Sequence, residues 1–113
     1  DMISMNLCTV QGRTELEQYW QLGAFRPPYL WSAVKILLDA DVAVACDPVG
    51  CGFRRGPHNC GTCDKKVVAA INEYSLTADK SVLQTVWDAG CSCRKEWEYV
   101  LDNETSWNMP LTD

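Results

Sequence analysis

The sequence lacks most features that identify an enzyme or a membrane protein. It contains one histidine, His58, which excludes a pair of histidines acting as acid and base. Its apolar runs, such as Val42–Cys46, are far shorter than the roughly 20 residues that a membrane-spanning helix needs. No motif is typical of a known reaction. We therefore predict no catalytic residue, no cofactor and no membrane span.

Positive charge is also scarce. Ten Lys and Arg residues stand against fifteen Asp and Glu residues, which gives a formal net charge of −5 and a pI of about 4.7. Proteins that bind nucleic acids usually carry a basic surface, and anionic membranes attract basic segments. The composition thus predicts no nucleic-acid partner and no membrane-surface partner.

Length and hydrophobicity predict one globular domain. The 113 residues are 47% hydrophobic and 22% charged, both ordinary for a folded chain. We assign residues 1–113 to a single domain with a core from about residue 5 to residue 101. The polar residues 102–113 are expected to form a loose tail.

Cysteine is the abundant residue type. Seven are present, so six can form three disulfides and leave one thiol over, with a pairing that the sequence does not fix. Asn103 begins the N-glycosylation triplet Asn103-Glu104-Thr105. Both features favour a secreted protein. The predicted disulfide cysteines are Cys8, Cys46, Cys51, Cys60, Cys63, Cys91 and Cys93.

Three helices are predicted from capping residues and apolar spacing. Thr14 begins a capping box and a short helix that ends near Gly23. A stronger helix covers about Tyr29–Ala40, with apolar residues recurring every three or four positions. Thr77 is a good N-cap for a third helix, which Gly90 ends.

Strands are predicted between these helices. Three segments alternate between two faces or are rich in β-forming residues: Met5–Val10, Val42–Cys46 and Cys91–Leu101. The segment Lys66–Ile71 fits a helix or a buried strand equally well. If Lys66–Ile71 is a strand, the element order is βαββαβ. The predicted fold class is therefore α+β, a two-layer sandwich with two main helices on a four-stranded antiparallel sheet, stapled by disulfides. Spacing places Trp31, Trp87 and Trp97 mostly in its core.

The central loop from Asp47 to Asp64 offers two alternatives to disulfides. A four-thiolate zinc site would use Cys46, Cys51, Cys60 and Cys63, with His58 as a spare ligand. However, only one Cys-x2-Cys knuckle is present, and such sites usually pair two. Alternatively, Cys60 and Cys63 form a thiol–disulfide redox pair, although a loop rather than a strand precedes them.

One basic segment stands out on this acidic chain. Phe53-Arg54-Arg55-Gly56-Pro57-His58 concentrates positive charge in the central loop. Arginine binds carboxylates and phosphates through two parallel hydrogen bonds. Arg54, Arg55 and His58 are accordingly the candidate interaction residues, with a solvated loop as the alternative.

The cysteines and the βαββαβ order resemble a known class of proteins. With Cys8, Cys46, Cys91 and Cys93 on strands or helix ends, the layout is similar to the small cysteine-rich secreted effectors of plant-pathogenic fungi, specifically the smut-fungus killer-toxin group. Those effectors usually have an even number of cysteines, so the seventh is a departure. The resemblance implies a secreted, non-catalytic virulence protein whose partner is another protein, either a host target or a co-secreted effector.

Overall fold

The structure is a computed structural model that describes residues 3–103, and helices dominate it. Two strands and five helices follow one another in the order β1, α1, α2, β2, α3, α4, α5. Their bounds are β1 Ile3–Met5, α1 Glu15–Gln21, α2 Leu30–Asp39, β2 Val44–Cys46, α3 Asp64–Thr77, α4 Lys80–Ala89 and α5 Cys93–Asp102.

Helix α2 is the centre of the core. Pro27 and Pro28 precede it, and its apolar residues recur at helical spacing, so that one face packs inward. Trp31, Val34 and Leu37 have no solvent exposure. The helix packs against both α3 and α4. The predicted helix over Tyr29–Ala40 and the buried position of Trp31 are confirmed.

Helices α3 and α4 form the neighbouring layer. The segment Lys66–Ile71, which suits either element by sequence, is part of α3, and its inward face continues to Tyr74 at helical spacing. Thr77 is the last residue of α3 and not the cap of the next helix. Asp79 caps α4 instead, because its carboxylate accepts the backbone N–H of Ser81 at 2.9 Å.

The predicted four-stranded antiparallel sheet is wrong. Within residues 3–103 the only sheet has two strands of three residues, and these pair in parallel with Ile3 opposite Val44 and Met5 opposite Cys46. The segment after Met5 leaves the sheet. A crossover that contains α1 and α2 connects the two strands, as parallel pairing requires.

The last predicted strand, Cys91–Leu101, is also wrong, because Cys93–Asp102 is helix α5. A strand here would place every second side chain on one face, so that the charged Lys95 would share the apolar face with Cys93 and Trp97. The helical period instead places Cys93, Trp97 and Val100 toward the core and leaves Lys95 exposed. Edge-to-face ring contacts connect this face to α4 and α2, with centroid distances of 5.8 Å for Trp87–Trp97 and 5.9 Å for Trp31–Trp87.

Hydrogen bonds, not disulfides, hold the long central loop. All seven cysteines lie within residues 3–103, and each has a free thiol, so the disulfide-stapled fold is wrong. The backbone N–H of Val10 donates to the Arg55 carbonyl at 2.6 Å, and that of His58 donates to the Pro28 carbonyl at 3.1 Å. Gly56 packs so closely that a Cβ there would lie 2.1 Å from the Gly50 oxygen. None of the helices in the described part of the chain is long and apolar enough to cross a membrane.

Candidate metal centre

Four cysteines from two separate segments converge on one point. Their Sγ atoms all lie within 4.8 Å of one another. The individual separations are 3.7 Å for Cys60–Cys91, 3.7 Å for Cys63–Cys93 and 4.0 Å for Cys60–Cys63. Four sulfurs at about 2.3 Å from one tetrahedral zinc ion would lie roughly 3.8 Å apart. The spacing of the four sulfurs therefore fits a single tetrahedral ion.

The first pair belongs to a tight turn at the start of α3. The side chain of Asp64, which is 4% exposed, accepts the Asn59 N–H at 2.9 Å and the Gly61 N–H at 2.8 Å. Gly61 has a φ of +94°, a conformation that side-chain-bearing residues rarely adopt. Asp64 thereby fixes the backbone between Cys60 and Cys63.

The second pair lies at the junction of α4 and α5. Gly90 ends α4 with a φ of +63°, and Cys93 begins α5 two residues after Cys91. The Arg94 side chain fastens the junction, since it donates to the Trp87 carbonyl at 2.6 Å and lies 4.1 Å from the centre of that indole ring. Both pairs are therefore positioned by helix ends.

Three of the four sulfurs accept hydrogen bonds from N–H groups. The backbone N–H of Thr62 donates to the Cys60 sulfur at 3.4 Å. The Asn59 side chain donates to Cys63 at 3.3 Å, and the Trp31 indole donates to Cys93 at 3.3 Å. Donors around a sulfur stabilise its thiolate form, which is the form that binds a metal. Outer-shell partners of this kind orient metal ligands.

The thiols differ in how readily they ionise. The backbone N–H of Cys63 is the main reason that the pKa of Cys60 falls to about 6. Burial raises the pKa of Cys63 and, more strongly, that of Cys93. A divalent cation deprotonates the thiols that coordinate it. A bound cation would therefore supply the positive charge that stabilises the thiolates of Cys63 and Cys93.

The four-cysteine zinc set that was an alternative from sequence shares two members with the observed cluster. Cys60 and Cys63 belong to the cluster, but Cys46 and Cys51 are buried outside it. His58 is turned toward its own loop, with Nδ1 at 2.8 Å from the Gly56 carbonyl oxygen. Cys91 and Cys93 supply the missing pair. The sequence signal was a second short Cys spacing directly after a helix-ending glycine, which the assumed strand concealed.

The other predicted site residues have structural contacts. Arg55 forms an ion pair with Glu17 at 2.6 Å and lies 4.4 Å from the Trp20 ring centre, which anchors the loop on α1. Arg54 is exposed, at 5.8 Å from the same ring. An interaction role for Arg54, Arg55 and His58 stays a prediction. The side chain of Asn103 donates to the Tyr99 carbonyl at 2.9 Å.

Glycosylation of Asn103 also stays a prediction. The remaining two residues of its triplet, and Trp107, lie outside the described residues. The prediction of a loose tail falls largely outside them as well.

Comparisons with known proteins find archaeal relatives. The chain is 41% identical over 119 residues to archaeosine synthase subunit beta of Methanosarcina acetivorans, covering 100% of this chain and 34% of the relative. It is 38% identical over 109 residues to the subunit of the same name in Thermococcus kodakarensis, covering 91% of this chain and 33% of the relative. No protein-family profile and no solved structure matches.

These similarities overturn the predicted fungal effector. The relatives are archaeal proteins named as a subunit of a synthase, which is an enzyme, and not fungal toxins or virulence proteins. The prediction of secretion rested on the cysteines as disulfides and on the Asn103 triplet, and the cysteines carry free thiols instead. The prediction of a host target or co-secreted effector rested on the fungal resemblance, which the archaeal relatives contradict. The chain spans about one third of the length of these relatives, and it is similar to archaeosine synthase subunit beta over that third.

Proposed function

We propose that this chain is a metal-binding domain that holds one zinc ion through Cys60, Cys63, Cys91 and Cys93. The single observation that carries the proposal is the spacing of the four sulfurs, all within 4.8 Å of one another. Thiolates of this number and spacing suit a tetrahedral zinc ion. A cluster of several irons would spread its cysteine ligands further apart than one ion does.

The role of the zinc would be structural. Four protein ligands complete a tetrahedral shell and leave no position for water or substrate, which is typical of structural zinc. The ion would join the start of α3 to the α4–α5 junction, two places separated by the length of two helices in the chain. Because an unfolded chain lacks the assembled site, zinc binding adds directly to the stability of the fold.

We further infer that this domain serves a protein with the role of an archaeosine synthase subunit beta. Support comes from identities of 41% and 38% over nearly the whole chain. In that role the domain would assemble with the rest of the synthase, so its partner is a protein. No catalytic set is assembled among residues 3–103 apart from the four thiols, which favours a structural over a catalytic contribution.

Metal analysis of the purified chain tests the zinc proposal. We expect one zinc per chain by elemental mass spectrometry, and thiolate-to-metal charge-transfer absorption after exchange for Co²⁺. Cys63→Ala should lose both signals, whereas Cys8→Ser, which changes an exposed cysteine outside the cluster, should keep them. Iron with sulfide, or a Cys60–Cys63 disulfide in the native chain, would replace the zinc proposal with an iron–sulfur or a redox function.

A chimaera tests the role in the synthase. The matched third of the Methanosarcina acetivorans subunit would be replaced by this chain, and archaeosine formation would be measured by nucleoside mass spectrometry. We expect the chimaera to support synthesis and its Cys63→Ala form to lose it. A folded, zinc-loaded chimaera that makes no archaeosine would contradict the role while leaving the metal site standing.

A further inference from the structure

Two half-buried arginines lie beside the four-cysteine cluster, and within residues 3–103 neither forms an ion pair with a carboxylate. Arg26 precedes α2, and Arg94 lies in the first turn of α5. By contrast, Arg55 is also half-buried but pairs with Glu17 at 2.6 Å. Acids outnumber bases by five on this chain, so carboxylates are plentiful. Because a charge that is removed from water normally has a partner of opposite sign, the two arginines indicate an anion of another kind.

Arg26 holds the chain at the first cysteine pair. Its guanidinium donates to the His58 carbonyl at 2.7 Å and to the Asn59 carbonyl at 3.1 Å, and it lies 3.6 Å from the centre of the Tyr29 ring. The side chain of Asn59 in turn donates to the Cys63 sulfur at 3.3 Å. One residue therefore connects this cation to a sulfur of the cluster.

Arg94 has the same relation to the second cysteine pair. It directly follows Cys93, and its guanidinium lies 4.1 Å from the centre of the Trp87 ring and 5.2 Å from that of the Trp31 ring. The indole N–H of Trp31 donates to the Cys93 sulfur at 3.3 Å. An aromatic ring that contacts the cation thus also donates to the thiol, so each cysteine pair has one arginine next to its hydrogen-bond donor.

A filled metal centre would be an anion of the required kind. A divalent ion with four thiolates carries two net negative charges. Both Cys93 and the buried Asp64 lie within electrostatic range of Arg26. Glu96 is also within range, but it is exposed, so water screens its charge. The same screening applies to Lys66, an exposed cation in the cleft beside the cluster. The two half-buried arginines are therefore the cations best placed to offset the charge of the centre.

We propose that Arg26 and Arg94 are the counter-cations of the metal centre and favour the form in which all four cysteines are thiolates. This inference rests on the proposed zinc site. A purely structural role would need only the hydrogen bonds to backbone carbonyls, which a neutral amide can also donate. A positive charge is required only where an anion lies close by, and the four thiolates supply that anion when the metal is bound.

Zinc affinity, measured at pH 7 by competition with a chromophoric chelator, tests the role of the charge. Arg26→Gln and Arg94→Gln should each weaken zinc binding about tenfold, as expected for the loss of an outer-shell partner. Arg26→Lys and Arg94→Lys keep the charge and should recover most of that loss. Arg55→Gln is the matched control, because Arg55 is also half-buried and lies 4.4 Å from a Trp ring centre but pairs with a carboxylate. It should bind zinc like the parent chain.

The pH at which half of the chain is loaded with Co²⁺ gives a second readout. Without the nearby cation the thiolates form less readily, so the two Gln variants should need a higher pH for half-loading than the parent chain. The Lys variants and Arg55→Gln should load at the pH of the parent. Circular dichroism of the metal-saturated chains identifies the variants that fold.

Equal losses of affinity in the Gln and Lys variants would assign Arg26 and Arg94 to hydrogen bonding alone and overturn the proposal. Unaltered affinity and half-loading pH in the Gln variants would overturn it as well. Where a Gln variant does not fold, the Lys variant decides: retained affinity supports a role of the charge, and a tenfold loss contradicts it. Zinc bound by the parent chain in the same assay separates the two proposals, because its absence would contradict the metal site itself.

Discussion

The cysteines of this chain form two groups that differ in their surroundings. Cys46 and Cys51 are buried, and burial raises the pKa of both thiols, to about 11 for Cys51. The second group consists of Cys60, Cys63, Cys91 and Cys93, whose sulfurs lie within 4.8 Å of one another. The sulfurs of Cys60, Cys63 and Cys93 each accept a hydrogen bond from an N–H group. Burial alone therefore keeps a thiol protonated and inert, whereas convergence with N–H donors prepares thiolates for a cation.

Loss of the proposed metal should be the largest effect of substituting a cysteine, and it should follow only from substitutions in the four-cysteine cluster. We expect Cys63→Ala to release the zinc and to lower the free energy of unfolding by several kcal/mol, because metal binding contributes to folding. Thermal unfolding followed by circular dichroism, with and without a chelator, measures the change. The chelator should lower the Tm of the parent chain and leave that of Cys63→Ala unaltered. Equal chelator responses in the two chains would contradict a structural zinc.

A smaller effect is expected from a change to Asp64, whose carboxylate positions the turn that carries Cys60 and Cys63. Asp64→Asn removes the carboxylate charge that holds the Asn59 and Gly61 N–H groups. Loss of such an outer-shell partner should weaken zinc binding about 10- to 100-fold. Competition with a chromophoric chelator measures the affinity. Asp88→Asn is the matched control, because Asp88 is exposed and accepts from Gln84 on its own helix.

Cys46→Ala should have a mild effect. It removes one buried sulfur from β2, so the loss of packing should cost about 1 kcal/mol of unfolding free energy, near the value of one buried methylene. Zinc content should stay at one per chain, which urea unfolding combined with metal analysis would verify. Loss of zinc in this variant would show that Cys46 contributes to metal binding, and it would contradict the division of the cysteines into two groups.

The smallest effect concerns reactivity at neutral pH. Because the pKa of Cys51 is raised to about 11, the thiol is protonated at pH 7, and its slow alkylation should speed up about tenfold per pH unit until the pH approaches that value. In the zinc-loaded chain, where the proposed metal holds Cys60, the exposed Cys8 should react with iodoacetamide before the buried Cys51. Mass-spectrometric mapping of labelled peptides at several pH values checks the order. Rapid labelling of Cys51 in the folded chain would show that it is not protected by burial.

Sequence predicted the helices with strong local signals and missed elements without them. Thr14 caps α1, since its hydroxyl accepts the Glu17 N–H, although the Glu17 carboxylate accepts the Arg13 N–H and not that of Thr14. Helix α2 follows its apolar period. Segment Cys91–Leu101 carries both a two-residue and a helical period, and only packing against Trp87 decides between them. Local sequence cannot settle such a case.

Half of the proposed metal site could be predicted from the sequence for a similar reason. The Cys-x2-Cys spacing of Cys60 and Cys63 marks a knuckle by itself. The partner pair lies almost thirty residues later in the chain, across α3 and α4. Once Cys91 and Cys93 were placed on a strand, a shared site could not be inferred. The resemblance to disulfide-rich effectors strengthened that error because it supplied a disulfide role for six of the seven cysteines.

X-ray absorption at the zinc edge of the purified chain tests the four-thiolate centre most directly. The structure predicts a single shell of four sulfur ligands at about 2.3 Å, supplied by Cys60, Cys63, Cys91 and Cys93, and the loss of that shell in Cys93→Ala but not in Cys46→Ala. A chain without zinc, or zinc with nitrogen or oxygen ligands in place of two or more sulfurs, would contradict the account.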